Sequence, residues 1–210
     1  MRLHYAQQSI EKYLNDLSGK LPAPGGGSAA ALVSSTGVAC LLMVANFTLN
    51  KKGYETVQDE IQNVLSQLEG ERKKLTELID LDVLAYQKVA DAYRHPRDTE
   101  EEKATREKQI QNALKEAMDV PLEIMLISHR LLPVAEKLLN TGNKNLITDV
   151  GCGAIFLLSG IESAELNVEI NLKNITDTGF VETIKKQIAD IVSDSKSITK
   201  KILADLKKNL

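Results

Sequence analysis

The sequence predicts an all-α fold, a single-domain bundle of long helices spanning residues 1–210. Three observations lead there. Apolar residues recur at helical 3–4 spacing along nearly the whole chain, and no run alternates as a strand does. Aromatic residues make up only 4% and Trp is absent, so the core must be built from Leu, Ile, Val and Ala. Two segments, beginning near Ala29 and Leu146, are apolar on almost all sides and rich in small residues, as expected of two central helices packed closely together.

The elements follow in order. Leu3 to Leu17 carries Leu3, Ala6, Ile10, Tyr13, Leu14 and Leu17 on one helical face. Gly19 to Gly27 is a loop, and Ser28 is placed to cap an apolar helix from Ala29 to about Asn50, ended by Lys51-Lys52-Gly53. Glu55 to Tyr93 is one long amphipathic helix whose core positions include Ile61, Leu68, Leu75, Leu81 and Leu84, with Gly70 its weak point. Thr99 followed by Glu102 reads as a capping box for the next helix, which Pro121 and Pro133 should kink or divide. Leu146 to about Lys173 and Phe180 to about Leu206 complete the set. With two helices apolar nearly all round, a homodimer is expected to cover what one protomer leaves open.

Bulk properties narrow the function. A net charge of −3 gives no basic field for nucleic acid. Ala29 to Leu49 is uncharged and long enough to span a bilayer, but Ser34-Ser35-Thr36-Gly37 interrupts it, and a buried core helix without membrane contact is the expectation. The amphipathic start lacks the pattern of a signal peptide, and Cys40 and Cys152 sit in apolar stretches as buried thiols would, so a cytoplasmic setting is expected. His4, His95 and His129 are scattered, and no metal-ligand spacing appears.

Chemistry must then come from polar groups that break the apolar pattern. Asp82 shares a stripe with Tyr86, Val89 and Tyr93, whereas Asp80 points elsewhere and reads as a surface residue. Asp149 lies in an apolar, glycine-rich stretch, either as a buried functional carboxylate or as a first-turn acid favoured by the helix dipole. Asn167 and Asn171 share a face and would serve either a ligand or inter-helix hydrogen bonds; Asn46 poses the same choice. Lys51 and Tyr54 follow the first apolar helix, and each is either a site residue or an ordinary helix-end residue. The run Pro24, Gly25, Gly26, Gly27, Ser28 either makes a tight turn or lets a ligand approach backbone N–H groups at a helix start. It lacks the Gly-Lys-Ser/Thr ending of a P-loop.

Taken together, "PAPGGGSAAAL" (Pro22 to Leu32), "MVANFTLNKKGYE" (Met43 to Glu55), "LIDLDVLAYQKVADAYRHP" (Leu78 to Pro96), "GNKNLITDVGCGA" (Gly142 to Ala154) and "AELNVEINLKNITD" (Ala164 to Asp177) resemble the cyclodeaminase domain of formiminotransferase-cyclodeaminase. That family includes stand-alone bacterial methenyltetrahydrofolate cyclohydrolases. The resemblance runs through essentially the whole chain in order. It implies an all-helical dimer that takes a tetrahydrofolate derivative as substrate, with no metal or other cofactor. It implies cyclohydrolase activity, interconverting 5,10-methenyltetrahydrofolate and 10-formyltetrahydrofolate. The alternatives are cyclodeaminase activity on formiminotetrahydrofolate and, in a different class, a non-catalytic helical dimer that binds folate or a partner protein. On this reading Asp82, Asp149 and Lys51 are the catalytic candidates. Pro24, Gly25, Gly26, Gly27, Ser28, Asn46, Tyr54, Tyr86, Asn167 and Asn171 are the substrate-binding ones.

Overall fold

A computed structural model describes residues 4–208 and 210. Its helices are α1 (Ile10–Ser18), α2 (Gly26–Asn46), α3 (Gln58–Tyr93), α4 (Glu100–Thr141), α5 (Ile147–Leu172) and α6 (Thr178–Lys207), with short 3₁₀ turns at Tyr5–Gln7, Glu55–Val57 and Lys144–Leu146. No strand occurs among the described residues. Helices α2 to α5 form an up-and-down bundle in which α2 neighbours α3 and α5, and α4 closes the ring between them. Helix α6 lies across α4 and α5, parallel to α4, as the pairs Lys115–Asp177 and Lys201–Glu136 mark.

Small residues set the closest approach. At Gly37 an added Cβ would stand 2.9 Å from the carbonyl oxygen of Gly153, so α2 and α5 touch there almost backbone to backbone. One bundle turn away, Ser34 occupies the space an added Cβ on Gly160 would need, and its hydroxyl accepts from Ser128 of α4 at 2.9 Å, both fully buried. That bond satisfies a hydroxyl that would be costly to bury alone. The layer around this contact is aliphatic: Leu41, Met118, Met125, Leu131 and Leu157 are completely enclosed.

Several boundaries differ from the sequence expectation. Leu3 lies outside the described residues. The first helical pattern splits into a 3₁₀ turn and α1, because Ser9 accepts from the Lys12 N–H and caps a new start. In α1 only Tyr13 is buried, while Ile10 and Leu14 are 74% and 51% exposed. Helix α2 begins at Gly26 rather than Ala29, with Gly25 as its N-cap, so Ser28 lies inside the first turn. It ends at Asn46, and the chain turns through Asn50 at φ 56°. The capping box at Thr99 forms as read, and α4 runs undivided through both Pro121 and Pro133. Leu81 is 45% exposed instead of buried, because α3 turns Val83 and Ala85 inward beyond Ile79. Asp80 is no free surface acid: it accepts the Tyr5 N–H at 2.6 Å. Cys40 is half-buried and Cys152 exposed, since the neighbouring Gly151 and Gly153 take the inward face of α5.

Helix α2 and the segment Lys144–Leu172 are each long and apolar enough to cross a membrane by length and composition. Only 56% and 44% of their apolar windows are buried within the chain. The remainder forms one open face bearing Met43, Phe47, Ile155 and Leu166.

The tight α2–α5 contact predicts a specific sensitivity. Gly37→Ala should cost about 1–3 kcal/mol through overpacking against backbone, roughly 2–12 °C in Tm for a chain of this size. Thermal denaturation followed by circular dichroism reads this; an unchanged Tm would mean that the two helices part without cost.

Candidate active site

At one end of the bundle the start of α2, the last turns of α3, the first half of α4 and the last turns of α5 enclose a cleft of about 350 Å³. That volume falls in the range of small-molecule sites. The sequence stripe of α3 delivers Asp82, Tyr86, Val89 and Tyr93 to one wall. Gly25, Gly26 and Gly27 form a second wall, and Asn167 and Asn171 a third. Leu114, Ala117 and Ile170 supply apolar surface.

The carboxylate of Asp82 sits on the N-terminus of α2. Its Oδ2 accepts the Ser28 backbone N–H at 2.9 Å. A side chain on Gly27 would overlap Oδ1, so residue 27 must be glycine for the carboxylate to reach the helix end. Burial pushes the Asp82 carboxyl above the ordinary aspartate range, and the Ser28 N–H holds it back in part. The result is a carboxylate that binds a proton more readily than a surface one and faces a cleft. One of the two readings of the glycine run gives the free N–H groups of this helix start to a ligand. Asp82 itself supplies the anion.

Around it the polar groups are neutral. Asn167 Nδ2 donates to the Ser163 carbonyl at 2.8 Å, and Asn171 Nδ2 to the Asn167 carbonyl at 2.9 Å. Both amides therefore bond back to their own helix rather than to a neighbour, leaving their oxygens as acceptors at the cleft. An added Cβ on Gly26 would stand 3.1 Å from Asn167 Nδ2, which records how closely the glycine wall meets α5. Tyr86 and Tyr93 are 48% and 45% exposed, offering ring faces to an aromatic ligand. Among the described residues no Lys, Arg or His lines the cleft. Pro24 and Ser28 lie beneath it, buried, and support the loop rather than line the wall.

The remaining candidates are elsewhere. Asn46 ends α2 and Asp149 begins α5, so the 1.5 Å rise per residue places both about 30 Å from the cleft along their helices. Lys51 and Tyr54 lie at that far end too. Tyr54 accepts the Lys144 N–H at 3.0 Å, pinning the α4–α5 connection, and the Lys144 ammonium donates to the Leu139 and Asn140 carbonyls. Asn46 is exposed, Lys51 and Asp149 are half-buried, and none of the three side chains has a hydrogen-bond or ion-pair partner among the described residues. The cleft also holds Tyr93, Asn174, Leu114 and Ala117, which were not singled out as site residues. Tyr93 was readable as the end of the Asp82 stripe; Asn174 follows Asn171 by three, a spacing that carries the same face onward.

An all-helical chain whose cleft combines a raised carboxylate, aromatic walls and amide acceptors defines a class, a small-molecule site equipped to exchange protons. The formiminotransferase-cyclodeaminase family model matches residues 9–190, and the chain belongs to that family. It is 38% identical over 200 residues to a methenyltetrahydrofolate cyclohydrolase of Methylorubrum extorquens, covering 95% of this chain and 96% of that one. It is 29% identical to the rat formimidoyltransferase-cyclodeaminase over 94% of this chain, which corresponds to 37% of the rat protein. Among solved structures, a formiminotetrahydrofolate cyclodeaminase from Thermotoga maritima superposes with a TM-score of 0.81 at 32% identity, covering 98% of this chain and 97% of that one.

The raised Asp82 carboxyl has a signed consequence for stability. A folded-state value above the ordinary 3.8 means the native state binds the proton more tightly than the unfolded chain does. Ionisation then costs native stability as the pH rises through that window. Asp82→Asn should thus be at least as stable as the wild type at neutral pH, with its advantage shrinking on acidification. Chemical denaturation across the acid range tests this; an advantage that grows toward low pH would reverse the sign.

Proposed function

We propose that this chain is a methenyltetrahydrofolate cyclohydrolase whose working carboxylate is Asp82. The observation that carries the reading is the Asp82 carboxylate on the α2 N-terminus, half-buried in a cleft that no cation among the described residues lines. The substrate's methenyl carbon lies between N5 and N10 in an amidinium cation, and an anion beside it stabilises that charge. Asp82 takes a proton from water as the oxygen bonds to this carbon. The same proton, returned to N5, lets the C–N5 bond break, and as it breaks the new hydroxyl gives its proton to the Asp82 carboxylate and on to water, leaving the formyl group on N10. A carboxyl raised by burial suits both halves of that transfer. Tyr86 and Tyr93 would flank a ring of the substrate, and Asn167 and Asn171 would accept from its N–H groups.

The likeness to the Thermotoga protein supports a second reading, cyclodeamination. There N10 attacks the carbon of the protonated formimino group, Asp82 takes the N10 proton and passes it to the departing nitrogen, and ammonia leaves. A spectrophotometric assay separates them: loss of methenyl absorbance in water against its gain, with ammonia release, from formimino substrate. On either reading Asp82→Asn should lower kcat by roughly 10²–10⁴-fold with the fold intact. Turnover at the wild-type rate would remove Asp82 from the chemistry, and no turnover of either substrate by the wild type would favour a non-catalytic binder.

The same reading includes a homodimer. The open face of α2 and α5 is apolar and long, and a second copy is the occupant it suits. A two-fold axis across the middle of α2 sets the partner helix antiparallel. The far end of one copy then meets the cleft of the other. This brings Asn46, Lys51 and Asp149, whose side chains have no hydrogen-bond or ion-pair partner among the described residues of one chain, beside Asp82, together with Tyr54. It also supplies the cation that the cleft lacks for the carboxylates of a folate tail. Mixing Asp82→Asn with Lys51→Ala subunits should restore activity to about a quarter of wild type, as random pairing with one intact site per mixed dimer gives. A monomeric mass by light scattering, or no recovery on mixing, would overturn the shared site.

A further inference from the structure

Helix α1 is held to the body in an unusual way. Its apolar residues Ile10 and Leu14 face outward, and Tyr13 is its one buried side chain, 4% exposed. The Tyr13 ring meets Tyr5 edge-on, with centroids 5.6 Å apart and planes at 86°. Packing alone would be served by Phe. The hydroxyl instead donates to Ser28 Oγ at 3.1 Å in a buried setting. Ser28 is fully enclosed, and its own backbone N–H donates to Asp82. Two hydrogen bonds in series therefore join α1 to the carboxylate.

The residues before Ser28 make this linkage consequential. Gly25, Gly26 and Gly27 have no side chains with which to anchor the first turn of α2. Ser28 is the first residue of that turn able to fix it, and Tyr13 is the group that holds Ser28. We infer that Tyr13 is a positioning residue for Asp82: through Ser28 it keeps the first turn of α2, and the N–H it presents, on the carboxylate. This inference rests on the reading of Asp82 as the working carboxylate.

The surroundings of Asp82 leave few other controls. Tyr86 and Tyr93 of α3 and Tyr13 of α1 are the ionisable groups facing it. The start of α2 contributes backbone, α4 contributes Leu114 and Ala117, and α5 contributes amides. Without the Tyr13 hydroxyl, the Ser28 N–H contact loosens and the anion loses its one hydrogen-bond donor among the described residues. The carboxyl then holds its proton more tightly.

The experiment compares Tyr13→Phe, Ser28→Ala and Tyr5→Phe. The last removes a hydroxyl on the same segment that donates to Asp16, outside the linkage. Carbon-13 NMR of carboxyl-labelled aspartates reads each midpoint, the Asp82 resonance being the one missing in Asp82→Asn. Tyr13→Phe should raise the Asp82 midpoint by about half to one pH unit, the worth of one hydrogen bond. Ser28→Ala should move it in the same direction, and Tyr5→Phe should leave it in place. In turnover, Tyr13→Phe should move the acid limb of the kcat–pH profile upward by the same roughly half to one unit, lowering kcat by roughly 3–10-fold on that limb with KM within about twofold. An unchanged midpoint in Tyr13→Phe overturns the inference, as does an equal shift in Tyr5→Phe, which would make α1 docking as a whole responsible. The titration needs no substrate. Absent folate turnover in the wild type would count against the proposed function alone, and an unmoved midpoint against this inference alone.

Discussion

The bond between the Ser28 N–H and the Asp82 carboxylate is the constraint around which the cleft is arranged. A helix N-terminus offers unpaired N–H groups and a positive dipole end, and it attracts an anion. Here the anion is a side chain from the adjacent helix. Bringing a carboxylate so close to a helix end leaves no room for a Cβ at Gly27. The conformational entropy of glycine in a helical turn is the cost of that approach. The contact also fixes how far α2 has advanced along α3, because Ser35 and Thr76, further along, hydrogen-bond at 3.1 Å in the same antiparallel register.

That register spreads through the bundle. With α2 locked to α3 at one end, the Gly37–Gly153 contact sets α5 against α2, and α5 delivers Asn167 and Asn171 to the same cleft. Ion pairs Lys88–Glu116 and Lys137–Glu60 follow the matching register of α3 and α4, but they are largely exposed and contribute little to stability. Backbone contact and burial decide the geometry; the surface charges follow it.

Much of this was legible in the amino-acid sequence, and the limits are physical. The helical period identified the Asp82–Tyr86–Val89–Tyr93 stripe, and the structure places all four in the cleft wall. The capping box at Thr99 is local chemistry and appeared where expected. The start of α2 was misplaced because glycines read as loop until a partner that needs their missing side chains is known, and that partner, Asp82, is 54 positions away. The same holds for Ser28, whose hydroxyl suggested a cap but bonds to Tyr13 instead. The division of candidates between two ends was hidden for a different reason. Periodicity tells which face a residue occupies, not which end of a neighbouring helix it meets. Asn46 and Asn167 both break apolar helices, yet antiparallel packing of α2 and α5 sends them to opposite ends of one chain.

The carboxylate also explains why one cleft suits two reactions. Hydrolysis of the methenyl group and closure of the formimino group pass through the same kind of intermediate, a tetrahedral carbon joined to N5 and N10. In one direction the third heteroatom is oxygen, in the other it is a departing nitrogen. On the proposed reading Asp82 need only exchange a proton with whichever heteroatom is present, and a carboxyl raised by burial and restrained by one N–H can do so either way. The asparagine oxygens, on the same reading, would accept from ring N–H groups regardless of that heteroatom. Selection between the two reactions therefore rests on what admits or excludes water and ammonia at the cleft mouth. The half-exposed rings of Tyr86 and Tyr93 and the exposed Ile170 line that cleft, and on the proposed reading they set what reaches the carboxylate.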